Sequence, residues 1–327
     1  MPRSQPAIAG LGITAQGRVY GKTAAQMVQY AAMAVQSGTA DTIAVVWADD
    51  PLKEKARTSA AYTAKNSVPR GWRGINASNG LYSANTMYAL AARRHMKKYG
   101  TTQDHFGHIA VAQREWAQRN PIAQFYGTPL TLEEYHASRY IAEPFHLYDC
   151  CLVSNGGVAV IVTSLDRARA LRQPPVRILG WAQAHPGRTG VRNDDFGLVS
   201  GAASAGPRAL TMAGTTLDEI DVIEVYDCYT FTVLLTLEDY GFVPKGEGGP
   251  ALAEPGVLGP GGKLKVNTGG GELSAFYLWG MTPVHEAVVQ ARGQGGDRQV
   301  AKHDRVLVSG NGGVLDYHST LILGTDD

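Results

Sequence analysis

The chain has 327 residues, 44% hydrophobic and 18% charged, enough to bury one or two sizeable cores. Its 30 basic and 29 acidic residues leave a formal net charge of +1, so no broad cationic field exists to collect nucleic acid or anionic lipid. The three cysteines, neighbours Cys150 and Cys151 with Cys228 far along the chain, do not suit a disulfide framework and point to a reducing compartment.

Residues 1–10 lack the charged and apolar regions of a secretion signal, and no run reaches the roughly 18 apolar residues of a membrane span. A cytoplasmic protein is expected. A short apolar run near Ile8 reads as a first strand and is followed by Gly10-Leu11-Gly12-Ile13-Thr14-Ala15. That stretch fits the loose form of a dinucleotide-phosphate turn. However, no acidic residue occurs before Asp41, and Gly17 with Gly21 would break the helix that should follow. A plain glycine turn is the preferred reading, and no redox cofactor is expected.

A helical pattern over 23–37 ends at Gly38 and leads into a β-rich run at 42–47. Helical patterns at 82–99 and 131–139 precede Gly156-Gly157 and an apolar strand at 158–163. Pro174 and Pro175 divide the chain into halves, 1–173 and 174–327. The second half predicts strands at 176–179, 222–225, 306–308 and 319–323, helices at 230–240 and 283–292, and a Gly- and Pro-rich loop over 246–262. Such alternation indicates a layered, mostly parallel α/β arrangement. Both halves contain an Asp-led strand after a helix, at Asp41 and Asp304, and end on paired glycines before an apolar strand, which indicates an internal duplication.

No Cys-x-x-Cys pair or His-Glu-x-x-His helix occurs, and His285-Glu286 and His303-Asp304 have no partners at ligand spacing, so no metal is expected. The stretch Gly201-Ala202-Ala203-Ser204-Ala205-Gly206 misses a nucleophile elbow by one position. Three stretches of the second half carry the chemistry. Glu224-Val225-Tyr226-Asp227-Cys228-Tyr229-Thr230 lies where a buried strand opens into a helix, a place where α/β folds present groups to ligands. Asn267-Thr268-Gly269-Gly270-Gly271-Glu272-Leu273-Ser274 and Ser309-Gly310-Asn311-Gly312-Gly313-Val314-Leu315-Asp316-Tyr317-His318 read as glycine turns, the latter between two strands.

In their order and content these stretches resemble the His-Asp-Cys-Phe, Asn-x-x-Gly-Gly…Gly-His-Pro and Cys-x-Gly motifs of sterol-carrier-type thiolases, and the helix ending at Gly38 resembles the family's nucleophile-bearing helix. The resemblance covers nearly the whole chain. It implies a thiolase fold: two similar halves, each with a five-stranded mixed sheet, in a layered α/β/α/β/α sandwich that dimerises. The departures are chemical. No cysteine occurs between Arg18 and Thr23, where the acyl-accepting thiol would fall, nor near Val308-Ser309; Ala275-Phe276-Tyr277-Leu278-Trp279 stands where the family has Gly-His-Pro. Claisen chemistry through an acyl-enzyme needs those thiols. The amino-terminal half is also trimmed, because little more than 17–21 separates the first strand from the nucleophile-type helix.

The losses match the thiolase-like aldolases of bacterial steroid side-chain degradation. That resemblance implies retro-aldol cleavage of a β-hydroxyacyl-CoA: a 17-hydroxy steroid with a CoA-thioester side chain would give a 17-ketosteroid and propionyl-CoA, or acetyl-CoA from a shorter chain. It also implies a small acyl-CoA-binding partner with an OB-fold and zinc ribbon. A retro-aldol step needs a proton acceptor and a holder for the enolate oxygen. Tyr317 leads as the proton-transfer residue, with Tyr226 as its partner or oxyanion donor; Tyr229, Asp227 and His318 are second choices, and Gly270, Gly271, Gly310 and Gly312 would supply amides to the enolate. Cys228 is expected to be a buried apolar residue. Arg70, Arg73, Arg93, Arg94, Lys97 and Lys98 read either as a solvated helix face or as contacts for CoA phosphates.

Overall fold

The computed structural model describes residues 5–12, 23–55, 61–62, 71–81, 83–187 and 195–326. Two stretches read above, 13–22 and Arg70, lie outside the described residues, as does the side chain of Arg73. The first half comprises β1 (Pro6–Gly12), α1 (Ala24–Ser37), β2 (Thr42–Asp49), α2 (Trp72–Ser78), α3 (Ala84–Tyr99), α4 (Gln103–Ala117) and α5 (Leu132–Ala137). A short hairpin of β3 (Tyr140–Ala142) and β4 (Phe145–His146) follows, then β5 (Gly156–Ser164) and α6 (Leu165–Arg169). The second half comprises β6 (Val176–Ala184), α7 (Ala202–Ala213), β7 (Val222–Glu224), α8 (Thr230–Tyr240), α9 (Gly248–Ala253), α10 (Met281–Ala291), β8 (Arg305–Gly312) and β9 (Tyr317–Gly324).

Seven strands form one mixed sheet in the order β2-β5-β1-β6-β9-β8-β7. In the first half β1 pairs antiparallel with β5 and β5 antiparallel with β2; in the second, β6 pairs the same way with β9 and β9 with β8. The helix α1 precedes β2 as α10 precedes β8. The duplication is therefore written in the topology. The expected five strands per half are three and four among the described residues, and the arrangement is mostly antiparallel rather than parallel: only β7 and β8 run parallel. β7 has no described counterpart beyond β2, which is how the trimming of the first half shows itself. The repeats join where β1 pairs with β6, Ala7 opposite Arg177 and Ile8 opposite Val176.

Alternation along the strands sorts side chains between two apolar layers. Val306, Val308, Leu321, Leu323 and Ile178 face the same cluster as Val28 and Ala32 of α1 and Val284 and Val288 of α10. Ile8, Val45, Val158 and Val160 of the first half reach that cluster too, so α1 and α10 form a central layer between the strands of both halves. On the far sides, Leu307, Ile322 and Ala182 pack against α7 and α8, while Ala7 and Ala9 pack against Leu165 and Ala168 of α6. This is the layered α/β/α/β/α order.

α1 starts with a capping box, Thr23 Oγ1 accepting from the Gln26 amide while Gln26 accepts from the Thr23 amide, and stops at left-handed Gly38. Fully buried Gln29 donates from Nε2 to the carbonyls of Ala182 (3.2 Å) and Thr320 (3.1 Å), tying this helix of the first half to two strands of the second. Among the described residues no helix is long and apolar enough to cross a membrane. The helices α4 and α7 have no counterpart in the sequence reading. Gly107 lies inside α4, and Gly206 with Pro207 inside α7, residues that read locally as helix breakers.

Close packing between β6 and α7 yields a stability prediction. A Cβ on Gly180 would lie 2.3 Å from the carbonyl oxygen of Ala209 and 2.7 Å from the amide of Ala213, both backbone atoms. Gly180→Ala should lower stability by about 1 to 3 kcal/mol, read as a fall in the urea midpoint with unchanged slope; an unshifted midpoint would show that the helix can retreat freely.

Candidate active site

After Glu224 the chain leaves β7 but stays alongside β8: the Tyr226 amide donates to the carbonyl of Ser309 at 3.1 Å. The Val225 amide donates to Asn267 Oδ1 at 2.7 Å, and the Asn267 amide to the Ile223 carbonyl at 2.9 Å, locking the second motif against the first. At Gly270 (φ 96°) and Gly271 (φ 61°) the backbone turns left-handed, entering a single π-type turn, Gly271–Ala275. Fully buried Asp227 holds that turn by accepting the amides of Glu272 (2.9 Å) and Leu273 (3.2 Å). A Cβ on Gly271 would sit 2.2 Å from Asp227 Oδ2, so a glycine is needed there for space as well as for φ.

The turn delivers Tyr277 to Tyr226. Their hydroxyl oxygens are 3.1 Å apart, both side chains are buried, and the Tyr277 amide donates to Ser154 Oγ at 3.0 Å. Tyr277 stacks on Trp279 (5.6 Å, 27°), and Tyr62 meets both rings edge-on at 6.3 Å. Trp279 is partly exposed and donates from Nε1 to Asp49 Oδ2, so an aromatic path leads from the surface to the phenol pair.

The start of α1 lies between this pair and the β8–β9 hairpin. A Cβ on Gly280 would be 3.4 Å from the Ala24 amide and 3.8 Å from the Tyr226 ring. On the other side, Thr23 Oγ1 is 2.7 Å from Ser319 Oγ. A Cβ on Gly312 would be 2.6 Å from the half-buried Tyr317 ring and 3.1 Å from Thr23 Cγ2. Tyr226 and Tyr317 are thus both brought near one helix N-terminus, where partial positive charge gathers.

The remaining candidates do other work. His318 points into the core, its Nε2 3.0 Å from the Tyr240 hydroxyl and 3.3 Å from Ser309 Oγ, and burial drives its pKa down to about 3. Tyr229 stacks on Phe145 (4.9 Å, 16°) and donates to Asn85 Oδ1. The Gly270 amide is taken by the Asn267 carbonyl at 2.8 Å. Gly310 and Gly312 belong to β8, opposite Ser319 and Tyr317, rather than to a turn; the turn comes at Gly313 and Leu315. Gly310 makes room for Ser319 Oγ, 2.5 Å from where its Cβ would be. Cys228 is buried, as expected. Arg93 pairs with Glu143, and Arg94 donates to the Phe196 carbonyl.

Around the phenols, burial raises the pKa values of Tyr226, Tyr277, Cys151, Cys228 and Glu272 well above their ordinary ranges and pushes Asp227 up to about 7. The group therefore favours uncharged forms. Among the described residues no cluster of His, Cys, Asp and Glu could hold a metal ion. A separate cleft of about 480 Å³ opens at the opposite ends of β7 and β8, between Asp221, Lys265 and Lys302. Tyr277, central to the geometry, has no role in the sequence reading. The one signal was its place in the stretch standing for Gly-His-Pro.

Known proteins share this architecture. A family model described as thiolase C-terminal domain-like matches residues 182–325. The chain is 36% identical over 317 residues to the 17-hydroxy-3-oxo-4-pregnene-20-carboxyl-CoA lyase of Mycobacterium tuberculosis, covering 93% of this chain and 79% of that one. It is also 36% identical over 318 residues to the steroid side-chain-cleaving aldolase of Thermomonospora curvata, covering 94% and 79%. The solved Ltp2-ChsH2(DUF35) aldolase superposes with a TM-score of 0.83 at 30% identity, covering 99% of each chain.

The buried imidazole sets a pH signature. The folded pKa of His318 lies below its ordinary 6.5, so the unfolded chain takes up the proton first. Its contribution is complete above pH 6.5 and is lost as pH falls towards about 3, at roughly 1.4 kcal/mol per pH unit. The stability advantage of the wild type over His318→Gln should shrink in chemical denaturation as pH drops through that window; a constant advantage would show that His318 is not held neutral.

Proposed function

Because the chain belongs to the thiolase superfamily, in its branch of steroid side-chain-cleaving aldolases, we propose that it cleaves a 17-hydroxy steroid bearing a CoA-thioester side chain. The enzyme is a carbon–carbon lyase, and the reaction is a retro-aldol step giving a 17-ketosteroid and propionyl-CoA, or acetyl-CoA from a shorter side chain. The observation that carries the reading is the contact of Tyr226 with Tyr277 at the head of α1, where sequence 13–23 has no cysteine to form an acyl-enzyme.

The chemistry follows from those groups. The substrate hydroxyl gives up its proton, the carbon–oxygen bond becomes a ketone, and the electrons of the breaking carbon–carbon bond enter the thioester as an enolate. A proton returned to the α-carbon completes the short acyl-CoA. Two hydrogen-bonded phenols can accept and pass on a proton without holding net charge in an apolar site. The N-terminus of α1 lies where negative charge on the enolate oxygen would be stabilised. Tyr317, on the hairpin beside the same N-terminus, remains a candidate for proton transfer to or from the substrate together with Tyr226 and Tyr277. No cofactor is needed for this sequence of bonds, since CoA is part of the substrate.

The structural relative is an aldolase in complex with ChsH2(DUF35). A comparable arrangement is proposed for this chain: a homodimer that docks a small acyl-CoA-binding protein with an OB-fold and zinc ribbon, in the cytoplasm. A non-catalytic scaffold is the alternative, and one experiment separates them. Incubated with such a partner and a 17-hydroxy steroid CoA thioester, the wild type should release ketone and short acyl-CoA by mass spectrometry. Tyr226→Phe, Tyr277→Phe and Tyr317→Phe should each lower the rate by about 100-fold or more. Full rates in both Tyr226→Phe and Tyr317→Phe would refute the assignment, and no product from the wild type would leave the scaffold reading.

A further inference from the structure

Among the described residues Glu272, beside the phenols, has no partner for its charge or for its side-chain hydrogen bonds. Its backbone is held at both ends: the amide donates to Asp227 and the carbonyl accepts from the Leu152 amide at 2.9 Å. Its side chain is fully buried, and among the described residues neither carboxyl oxygen has a hydrogen-bond partner. A buried carboxyl without partners costs about 1 to 3 kcal/mol or more, and such groups call for an explanation. Packing does not supply one, because a leucine or glutamine would fill the same space at lower cost.

The surroundings point to a proton. Asp227, Tyr226 and Cys228 from the segment between β7 and α8, Cys151 from the segment before β5, and Tyr277 from the continuation of its own turn all lie within electrostatic reach of Glu272. A negative charge on Glu272 makes each of the two phenols and two thiols harder to ionise. Among the described residues Glu272 forms no ion pair, and Arg114 of α4, which reaches the same turn, donates from Nε to Ser274 Oγ at 3.1 Å and lies 3.6 Å over the Phe125 ring. Burial and the charge of Asp227 therefore leave Glu272 with a proton affinity far above that of an ordinary carboxylate.

We infer that Glu272 is a positioning residue for the aldol step, the carboxyl on which the proton lifted from the substrate hydroxyl comes to rest after passing through the Tyr226–Tyr277 pair. This rests on the retro-aldol reading above. The balance is simple. The substrate hydroxyl gives its proton to one phenol, that phenol gives its own to the other, and the last proton passes to the Glu272 carboxylate. As the carbon–carbon bond breaks, its electron pair forms the enolate. The same proton then travels back to the α-carbon, leaving Glu272 ionised as at the start. Neither oxidant nor reductant takes part. A phenol pair alone passes a proton but offers no low-energy place to keep it, because burial makes both phenolates unfavourable.

The test uses the complex of the full chain with its acyl-CoA-binding partner. Wild-type kcat should rise with pH along a limb displaced above the usual carboxylate range. Glu272→Gln should lower kcat by about 100-fold or more, leave KM for the CoA thioester within about twofold and abolish the limb; Glu272→Asp should restore part of both. A purely structural side chain would change the unfolding midpoint and KM but not the limb. Glu272→Gln with wild-type rate and limb, alongside an inactive Tyr277→Phe, would overturn the inference while leaving the aldolase reading intact. A second readout needs no turnover. Infrared spectra recorded below the kinetic limb minus those recorded above it should show a protonated-carboxyl band that Glu272→Gln lacks and Tyr277→Phe displaces. If that band is missing, or is indifferent to Tyr277→Phe, the inference fails even where the wild type releases no ketone.

Discussion

Asp227 is the constraint from which the site is built. One carboxyl, buried and with no cation among the described residues, collects the amides at the start of the 271–275 turn. Those bonds join the strand-to-helix segment that carries Tyr226 to the turn that carries Tyr277. They explain why residue 271 has no side chain, since the carboxyl occupies its place. They also explain the choice of an acid: a carboxyl can accept two adjacent amides that an amide side chain would satisfy less well. The register of the phenol contact follows from this clamp, and so does the aim of Glu272, whose own amide is one of the two that are held.

Around that clamp the protein assembles groups that resist charge. Among the described residues, phenols, thiols and carboxyls lie together without a committed cation, and burial raises all of their proton affinities. A thiolase-type nucleophile would be handicapped here, because a thiolate needs stabilisation that such surroundings withhold. Cys151 and Cys228 illustrate the point: they are within reach of the phenols but held as thiols. Proton movement between neutral partners, followed by dispersal of enolate charge at a helix N-terminus, suits the same environment. The change from acyl transfer to carbon–carbon cleavage is thus one of electrostatic setting as much as of residue replacement.

How much of this could be read from residues alone varies with the kind of information needed. Apolar runs at 222–225, 306–308 and 319–323 marked their strands correctly, since burial on both faces leaves little choice of side chain. The duplication showed through paired glycines and Asp-led strands, although three strands and four had to be counted in space. Gly310 and Gly312 suggested a turn because glycine is common there; they are small because Ser319, Tyr317 and Thr23 crowd a strand, a long-range cause invisible locally. Tyr317 and His318 are adjacent in sequence, yet strand alternation sends one to the α1 N-terminus and the other into the core. Tyr277 escaped because its importance depends on a partner 51 positions away.

The seam between the repeats has its own consequence. β1 pairs directly with β6, and Gln29 of the first repeat bonds to carbonyls of β6 and β9 in the second. Units sewn together in this way resist swinging apart like the jaws of a clamp, so the strands that carry the phenols and the hairpin share one frame. Selection is then left to the threshold, where a ligand bound for the phenols would have to slide past the flat indole of Trp279 and the ring of Tyr62.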